Sequence, residues 1–173
     1  PAQGPPVTPP APTVEPATDA PNPKSNFAQF VFGGSTRLAH AASLSVAELP
    51  PQAYNPLFIY GPPGLGKTHL LHSIGNYVRA FGGGLTVRYT TVEAFTNEFV
   101  SALGGGTTGK HEFKRRCRGV DALLIDDIQF LARKAATDEE LCHTYTALYD
   151  PGTPLIYSSD PTPPAPVPLQ ARL

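Results

Sequence analysis

The chain has 173 residues and a formal net charge of −1, about one domain plus a tail, with no overall basic excess. That balance argues neither for nor against nucleic acid and confines any basic surface to a local patch. Its two cysteines, Cys117 and Cys142, share no CxxC or ligand-like spacing, which argues against disulfides and a zinc site and suits a reducing cytoplasm. No apolar run approaches the ~20 residues that span a bilayer, and no signal peptide is visible. With no methionine, the chain reads as a fragment, and Leu169 to Leu173 reads as a helix being entered.

Residues 1–25 read as a disordered, proline-rich linker, too poor in large apolar side chains to offset the entropy of ordering. A ligand for proline-recognising domains is the alternative, but no basic-flanked PxxP is present. The composition changes at Asn26. Leu38, Ala41, Ala42, Val46 and Leu49 recur at helical spacing and predict a helix over 36–48, with Ser35 as its N-cap and Pro50-Pro51 as its stop.

A short apolar run, Leu57 to Tyr60, predicts the first core strand. It leads into Gly61-Pro62-Pro63-Gly64-Leu65-Gly66-Lys67-Thr68, which fits G-x-x-x-x-G-K-S/T. A helix over 67–81 follows, and strand, glycine-rich turn and helix start are the setting that a phosphate-binding loop needs. Glycines let backbone N–H groups close around phosphate oxygens, and the helix N-terminus adds positive dipole character. Lys67 would reach the β- and γ-phosphates and Thr68 would bind Mg²⁺. A chance glycine-rich turn is the bland alternative.

A strand is expected over 85–89, then a capping box with Thr90 as N-cap and Glu93 as its partner, opening a helix that carries Phe95, Phe99, Val100 and Leu103. Gly104 to Gly109 reads as a flexible break before a short helix over 110–118 with Phe113 facing inward. Val120 to Ile125 reads as a buried strand running into Asp126-Asp127, the form of a Walker B strand. Asp126 would hold Mg²⁺ and Asp127 would orient or deprotonate the attacking water. An acidic loop would look the same without the upstream phosphate loop. A loop over 128–136, a second capping box at Thr137 to Glu140 with a helix to Tyr149, and a last strand over 154–157 complete the pattern.

Strands alternating with helices predict an α/β fold with a mainly parallel, buried sheet. Ligands of such sheets bind outside the C-terminal strand ends, where Gly61, Asp126 and Asp160 fall. Spacing alone leaves Asp160 open between a γ-phosphate sensor and a turn-forming residue before Pro161. His69 and His72, three apart with no third ligand, read as ordinary helix-face residues rather than a metal pair. Lys110, Lys114, Arg115, Arg116 and Arg118 form the only dense basic cluster, either a solvated helix face or a phosphate-backbone contact.

Assembled, these residues resemble the bacterial replication initiators of the DnaA family, which are AAA+ P-loop ATPases. The resemblance covers about 27–173 and rests on NFAQFV with RLAHAA, YNPLFIYGPPGLGKTHLL, FTNEFVSAL, DALLIDDIQFL and Ser158-Ser159-Asp160. It implies a three-layer αβα core over 26–173, ATP or ADP with Mg²⁺ as ligands, and a slow switch rather than a motor. It implies ATP-dependent self-assembly into a filament on origin DNA, duplex melting and recruitment of the replicative helicase. Residues 90–118 would be the initiator-specific helices that shape the filament and line a channel for single-stranded DNA. Val100 would face that channel, with Lys110, Lys114 and Arg115 as electrostatic contacts. Phe30 and Val31 would lie near the adenine, and His69 follows the loop within its most specific block. Asp160 would be the sensor 1 residue.

Several positions depart from the family pattern. Asp127 stands where many ring-forming ATPases carry glutamate; it is one methylene shorter, so hydrolysis is expected to be slow. Ala135 and Ala136 replace a charged pair whose basic residue helps hold single-stranded DNA, and Pro161-Thr162-Pro163-Pro164 removes the arginine that usually follows Ser158-Ser159-Asp160. Pro62-Pro63 replaces the more usual Gly-Val but is familiar among AAA+ proteins. The arginine finger, the helical lid with sensor 2 and the origin-binding domain are expected beyond Leu173, so residues 1–173 alone are expected to bind nucleotide weakly and hydrolyse almost none. A truncated, non-catalytic nucleotide-binding adaptor or a helicase-loader-type paralogue is the alternative.

Overall fold

The computed structural model describes residues 20–31, 33–34, 36–48, 54–133 and 154–160. Among these residues, four parallel strands make one sheet in the order β1-β4-β3-β2. They are β1 (Leu57–Tyr60), β2 (Val87–Thr91), β3 (Ala122–Asp126) and β4 (Leu155–Ser159). β3 and β4 lie inside the sheet, and every residue of both is buried. Successive side chains on a strand leave opposite faces, so strands covered on both faces are apolar along their length, with the buried polar residues Asp126, Ser158 and Ser159 confined to their C-terminal ends. Ala122, Leu124 and Ile156 enter one core, with Val46 of α1 (Arg37–Glu48) and Leu70, Leu71, Ile74 and Val78 of α2 (Lys67–Phe81). Leu123, Ile125, Leu155 and Tyr157 enter the other, with Phe95 and Phe99 of α3 (Val92–Gly104) and Phe113 and Cys117 of α4 (Gly106–Arg118). The fold is therefore α/β in three layers. Burial pushes the Cys117 thiol up to about 11, so it packs as a small apolar side chain. No helix among the described residues is long and apolar enough to cross a membrane.

Several boundaries differ from the sequence expectation. β2 starts and ends two residues later than predicted, because its ladder with β3 continues to Thr91 opposite Asp126. The N-cap moves with it: Thr91, not Thr90, accepts the Ala94 N–H at 3.2 Å. Two adjacent threonines are equivalent in sequence, and the ladder chooses between them. The expected glycine break at 104–109 is almost entirely helical, with Gly105 alone between α3 and α4. A Cβ on Gly109 would lie 2.3 Å from the Ala102 carbonyl oxygen, so the glycine lets the start of α4 close onto the end of α3. α1 starts at Arg37 rather than Thr36; Ser35 lies outside the described residues. Residues 128–133 form a 3-10 helix where a loop was expected, β3 runs over 122–126, and β4 extends through Ser159. The predicted helix over 137–149 lies outside the described residues.

The end of the expected linker is packed. Pro21 is buried against Gly75, the Asn22 N–H donates to His72 Nδ1 at 3.1 Å, and Asn76 Nδ2 donates to the Asn22 and Ser25 carbonyls at 2.6 and 2.7 Å. His69 Nε2 meets the Asn26 carbonyl at 2.9 Å. The two histidines thus pin residues 21–26 onto α2, a job that their helical spacing alone could not announce.

The turn into β3 carries a testable contact. Thr86 donates its N–H and its Oγ–H to Asp121 Oδ2, both at 2.8 Å, and these bonds hold the Asp121 carboxyl below its usual range. A depressed folded value means stability that is complete above the ordinary carboxylate range and lost as pH falls through the folded value. Asp121→Ala is expected to cost about 0.5 kcal/mol near neutral pH after solvent screening, measured by urea unfolding. The gap between parent and variant should close as pH falls through the depressed folded value; a pH-independent gap would contradict the assignment.

Candidate nucleotide-binding site

All four strands point the same way, so their C-terminal ends share one edge of the sheet. Tyr60 pairs with Ser159 and Thr91 with Asp126, and the Gly61 N–H donates to the Ser159 carbonyl at 3.2 Å. The loop from Gly61 is thereby fixed against β4. Gly66, immediately before α2, has φ +83°, and a Cβ there would lie 2.6 Å from Phe30 Cε2. Both the left-handed backbone and the close ring require glycine. Pro62, Pro63, Gly64 and Leu65 are exposed at the tip. Lys67 opens α2 and is 8% exposed. Its Nζ donates to the Gly61 and Pro62 carbonyls, both at 2.9 Å, and pairs with Asp160 Oδ1 at 2.6 Å. Thr68 is next to it and exposed.

The acidic side of the site is built from β3 and β4. Asp126 is 2% exposed. Its Oδ1 accepts from Ser158 Oγ and, at 3.1 Å, from the Asp127 N–H; its Oδ2 accepts from the Tyr89 hydroxyl at 3.0 Å. Asp127 has φ +60°, an uncommon conformation for a residue with a side chain, and ends the strand sharply. Its Oδ1 accepts from Gln129 Nε2 at 3.1 Å, while Gln129 Oε1 accepts the Asp160 N–H at 3.1 Å. Burial first, and then the neighbouring Asp126 carboxylate, raise the Asp127 carboxyl above the ordinary range.

The residue set fits a magnesium nucleoside triphosphate. A buried carboxylate is costly unless paired, and among the described residues Asp126 has hydrogen bonds but no ion pair. Lys67 goes to Asp160 instead. A divalent cation held by Asp126 and Thr68 would balance that charge, and backbone groups at the start of α2 suit phosphate.

Other residues singled out in sequence are placed as follows. Phe30 is buried, stacked on His40 with ring centroids 5.6 Å apart and tilted against His69 at 5.7 Å. Val31 beside it is 95% exposed. His69 faces Phe30 and Asn26. Val100, on α3, is half exposed; Lys110 and Lys114, four apart on α4, are exposed on a stripe that flanks the buried Phe113 and Cys117. Arg115 is held by Glu112 through two bonds at 3.0 and 2.6 Å, and Arg116 pairs with Glu98 at 2.9 Å. Arg115 and Arg116 are thus paired with glutamates, and Lys110 and Lys114 form an exposed lysine face. Ala135, Ala136 and Pro161 lie outside the described residues.

Sequence reasoning missed Ser158, Gln129 and Tyr89 as partners of the acids. Ser158 and Gln129 sit inside quoted blocks, but no spacing rule says that a serine on β4 bonds an aspartate on β3.

A parallel sheet, a G-x-x-x-x-G-K-T loop between β1 and α2, and an acid ending β3 define a P-loop nucleoside triphosphatase fold of the AAA+ class. Comparison with known families narrows this. The family described as the bacterial DnaA ATPase domain matches residues 21–173, and the chain belongs to that family. It is similar to domain III of the Thermotoga maritima replication initiation protein DnaA, at 47% identity and TM-score 0.73, over 80% of this chain and 57% of that one. It is also similar to AMPPCP-bound DnaA from Aquifex aeolicus, at 38% identity and TM-score 0.72, over 81% of this chain and 43% of that one. A replication initiator DnaA bound to AMPPCP and single-stranded DNA matches with the same values. The chain thus spans roughly half the length of these relatives. A DnaC helicase loader, at 18% identity and TM-score 0.68, shares the fold alone.

Proposed function

We propose that this chain is the nucleotide-binding core of a DnaA-type replication initiator. It would be a cytoplasmic switch that takes ATP or ADP with Mg²⁺, self-assembles on origin DNA when ATP is bound, helps unwind the duplex and supports loading of the replicative helicase. The observation that carries this reading is the Lys67 ammonium, buried at the mouth of the loop between two loop carbonyls and Asp160. A cation so placed is poised to exchange these partners for phosphate oxygens. The helicase-loader alternative has only the shared fold behind it.

Each residue then has a task. The backbone from Gly61 to His69 wraps the phosphates, with the start of α2 supplying N–H groups and dipole. Lys67 holds the β- and γ-phosphates. Thr68 and Asp126 hold Mg²⁺, which when bound neutralises charge developing between the phosphates. Asp127, whose raised affinity for a proton suits a base, orients the attacking water. Asp160, released from Lys67, senses the γ-phosphate, and Gln129 ties it to Asp127. Phe30 and Val31 border the base.

α3 and α4 would carry the single-stranded DNA contact, through Val100 and the lysine face, with Arg115 contributing when it leaves Glu112. The experiment is retention of labelled oligo-dT with ATP or ADP over a salt series. ATP-dependent retention is expected, and Lys110→Ala/Lys114→Ala should lower the log–log salt slope by about 1.4, two single-strand phosphate contacts. Equal retention with and without nucleotide would sink the switch reading.

A further inference from the structure

We infer that Tyr89 is a positioning residue for Asp126, and that residues 21–26 act on the same carboxylate through it. The inference rests on the reading of Asp126 as the Mg²⁺-side acid. A buried carboxylate at a strand end can turn about its terminal bond, and a metal ligand works only when its lone pairs point at the ion. One oxygen of Asp126 is fixed from its own turn and from β4, by the Asp127 N–H and Ser158. The other is fixed from the opposite neighbour, β2, by the Tyr89 hydroxyl at 3.0 Å. Held at both oxygens, the carboxylate plane has one orientation. Because the phenol is a neutral donor, it orients Asp126 without cancelling the charge that a cation would need.

Tyr89 is itself held. Its ring lies against the His72 ring with centroids 4.1 Å apart. His72 Nδ1 accepts the Asn22 N–H at 3.1 Å, and Asn76 Nδ2 donates to the carbonyls of Asn22 and Ser25. A line of direct contacts thus runs from the N-terminal segment through α2 and β2 to the acid on β3. Outer partners of this kind orient a ligand and tune its metal affinity.

A structural role alone would make the Tyr89 hydroxyl a stabiliser with no bearing on metal. The two are separated by the ratio of ATP affinity in Mg²⁺ to that in EDTA, measured on the full chain with a fluorescent ATP analogue, beside the unfolding temperature. Tyr89→Phe keeps the ring against His72 and should lower that ratio about tenfold, with the EDTA affinity unchanged. His72→Leu leaves the hydroxyl but removes its support, and should lower the ratio by a smaller factor without changing the EDTA affinity. An unchanged ratio in Tyr89→Phe, or an equal loss in both conditions, overturns the inference. An unchanged ratio in His72→Leu overturns the link to residues 21–26. A parent ratio of one would instead sink the Mg²⁺–nucleotide reading itself, and this inference with it.

Discussion

Lys67→Ala is expected to weaken ATP binding by about 100-fold, on the order of 3 kcal/mol, because it removes a buried cation from the place where phosphate charge would sit. Lys67 is 8% exposed and donates to the Gly61 and Pro62 carbonyls and to Asp160. Asp160 is 35% exposed, so its half of the pair is partly screened and can be rehydrated in the variant. Folding should therefore suffer by only about 1 kcal/mol, while binding falls far more. Titration of a fluorescent ATP analogue beside urea unfolding separates the two. Binding retained within about threefold, below the usual worth of a charged hydrogen bond, would remove Lys67 from the site.

Phe95→Ala should be the most damaging substitution for stability, at about 3–5 kcal/mol. Phe95 is fully buried, and its ring lies 5.1 Å from that of Phe113, which also meets Phe99 at 5.4 Å. These rings fasten α3 and α4 to one another and, with Leu123, Ile125 and Leu155, to the sheet. Against a domain stability of about 5–15 kcal/mol the loss is a large share. It should appear as a lower urea midpoint with an unchanged slope. Retention of single-stranded DNA should weaken as well, because the lysine face of α4 loses its fixed position. Val100→Ala, at a half-exposed position on the same helix, should cost under about 0.5 kcal/mol. Similar losses in the two variants would show that the ring cluster does not fasten these helices.

Much of this architecture was readable before any coordinates. Leu57–Tyr60 and Lys67–Phe81 fall where the apolar run and the helical spacing put them. The phosphate loop lies between them in the expected setting, and Asp126 ends a fully buried strand. These features are local, so a window of ten to fifteen residues contains their cause. The errors fall where local signals tie or mislead. Thr90 and Thr91 are equal candidates for a cap until the pairing of β2 with β3 is known. The glycines from 104 to 109 have low helix propensity, yet Gly109 is needed where α4 meets Ala102. Pro21 to Ser25 has linker composition, yet hydrogen bonds to His72 and Asn76, some fifty residues away, hold it on α2.

The sequence by itself determined the α/β pattern, the parallel sheet, the G-x-x-x-x-G-K-T loop with Lys67 and Thr68, and the paired acids at the end of β3. Each follows from a periodicity or a spacing carried by neighbouring residues. Only the tertiary structure decided how those parts meet: that Lys67 reaches Asp160, that Gln129 joins Asp127 to Asp160, and that Ser158 and Tyr89 grip Asp126 from the strands on either side. The reason is physical. Strand order and register bring together residues that lie thirty or more positions apart, and hydrogen bonds between such residues leave no mark in either local pattern.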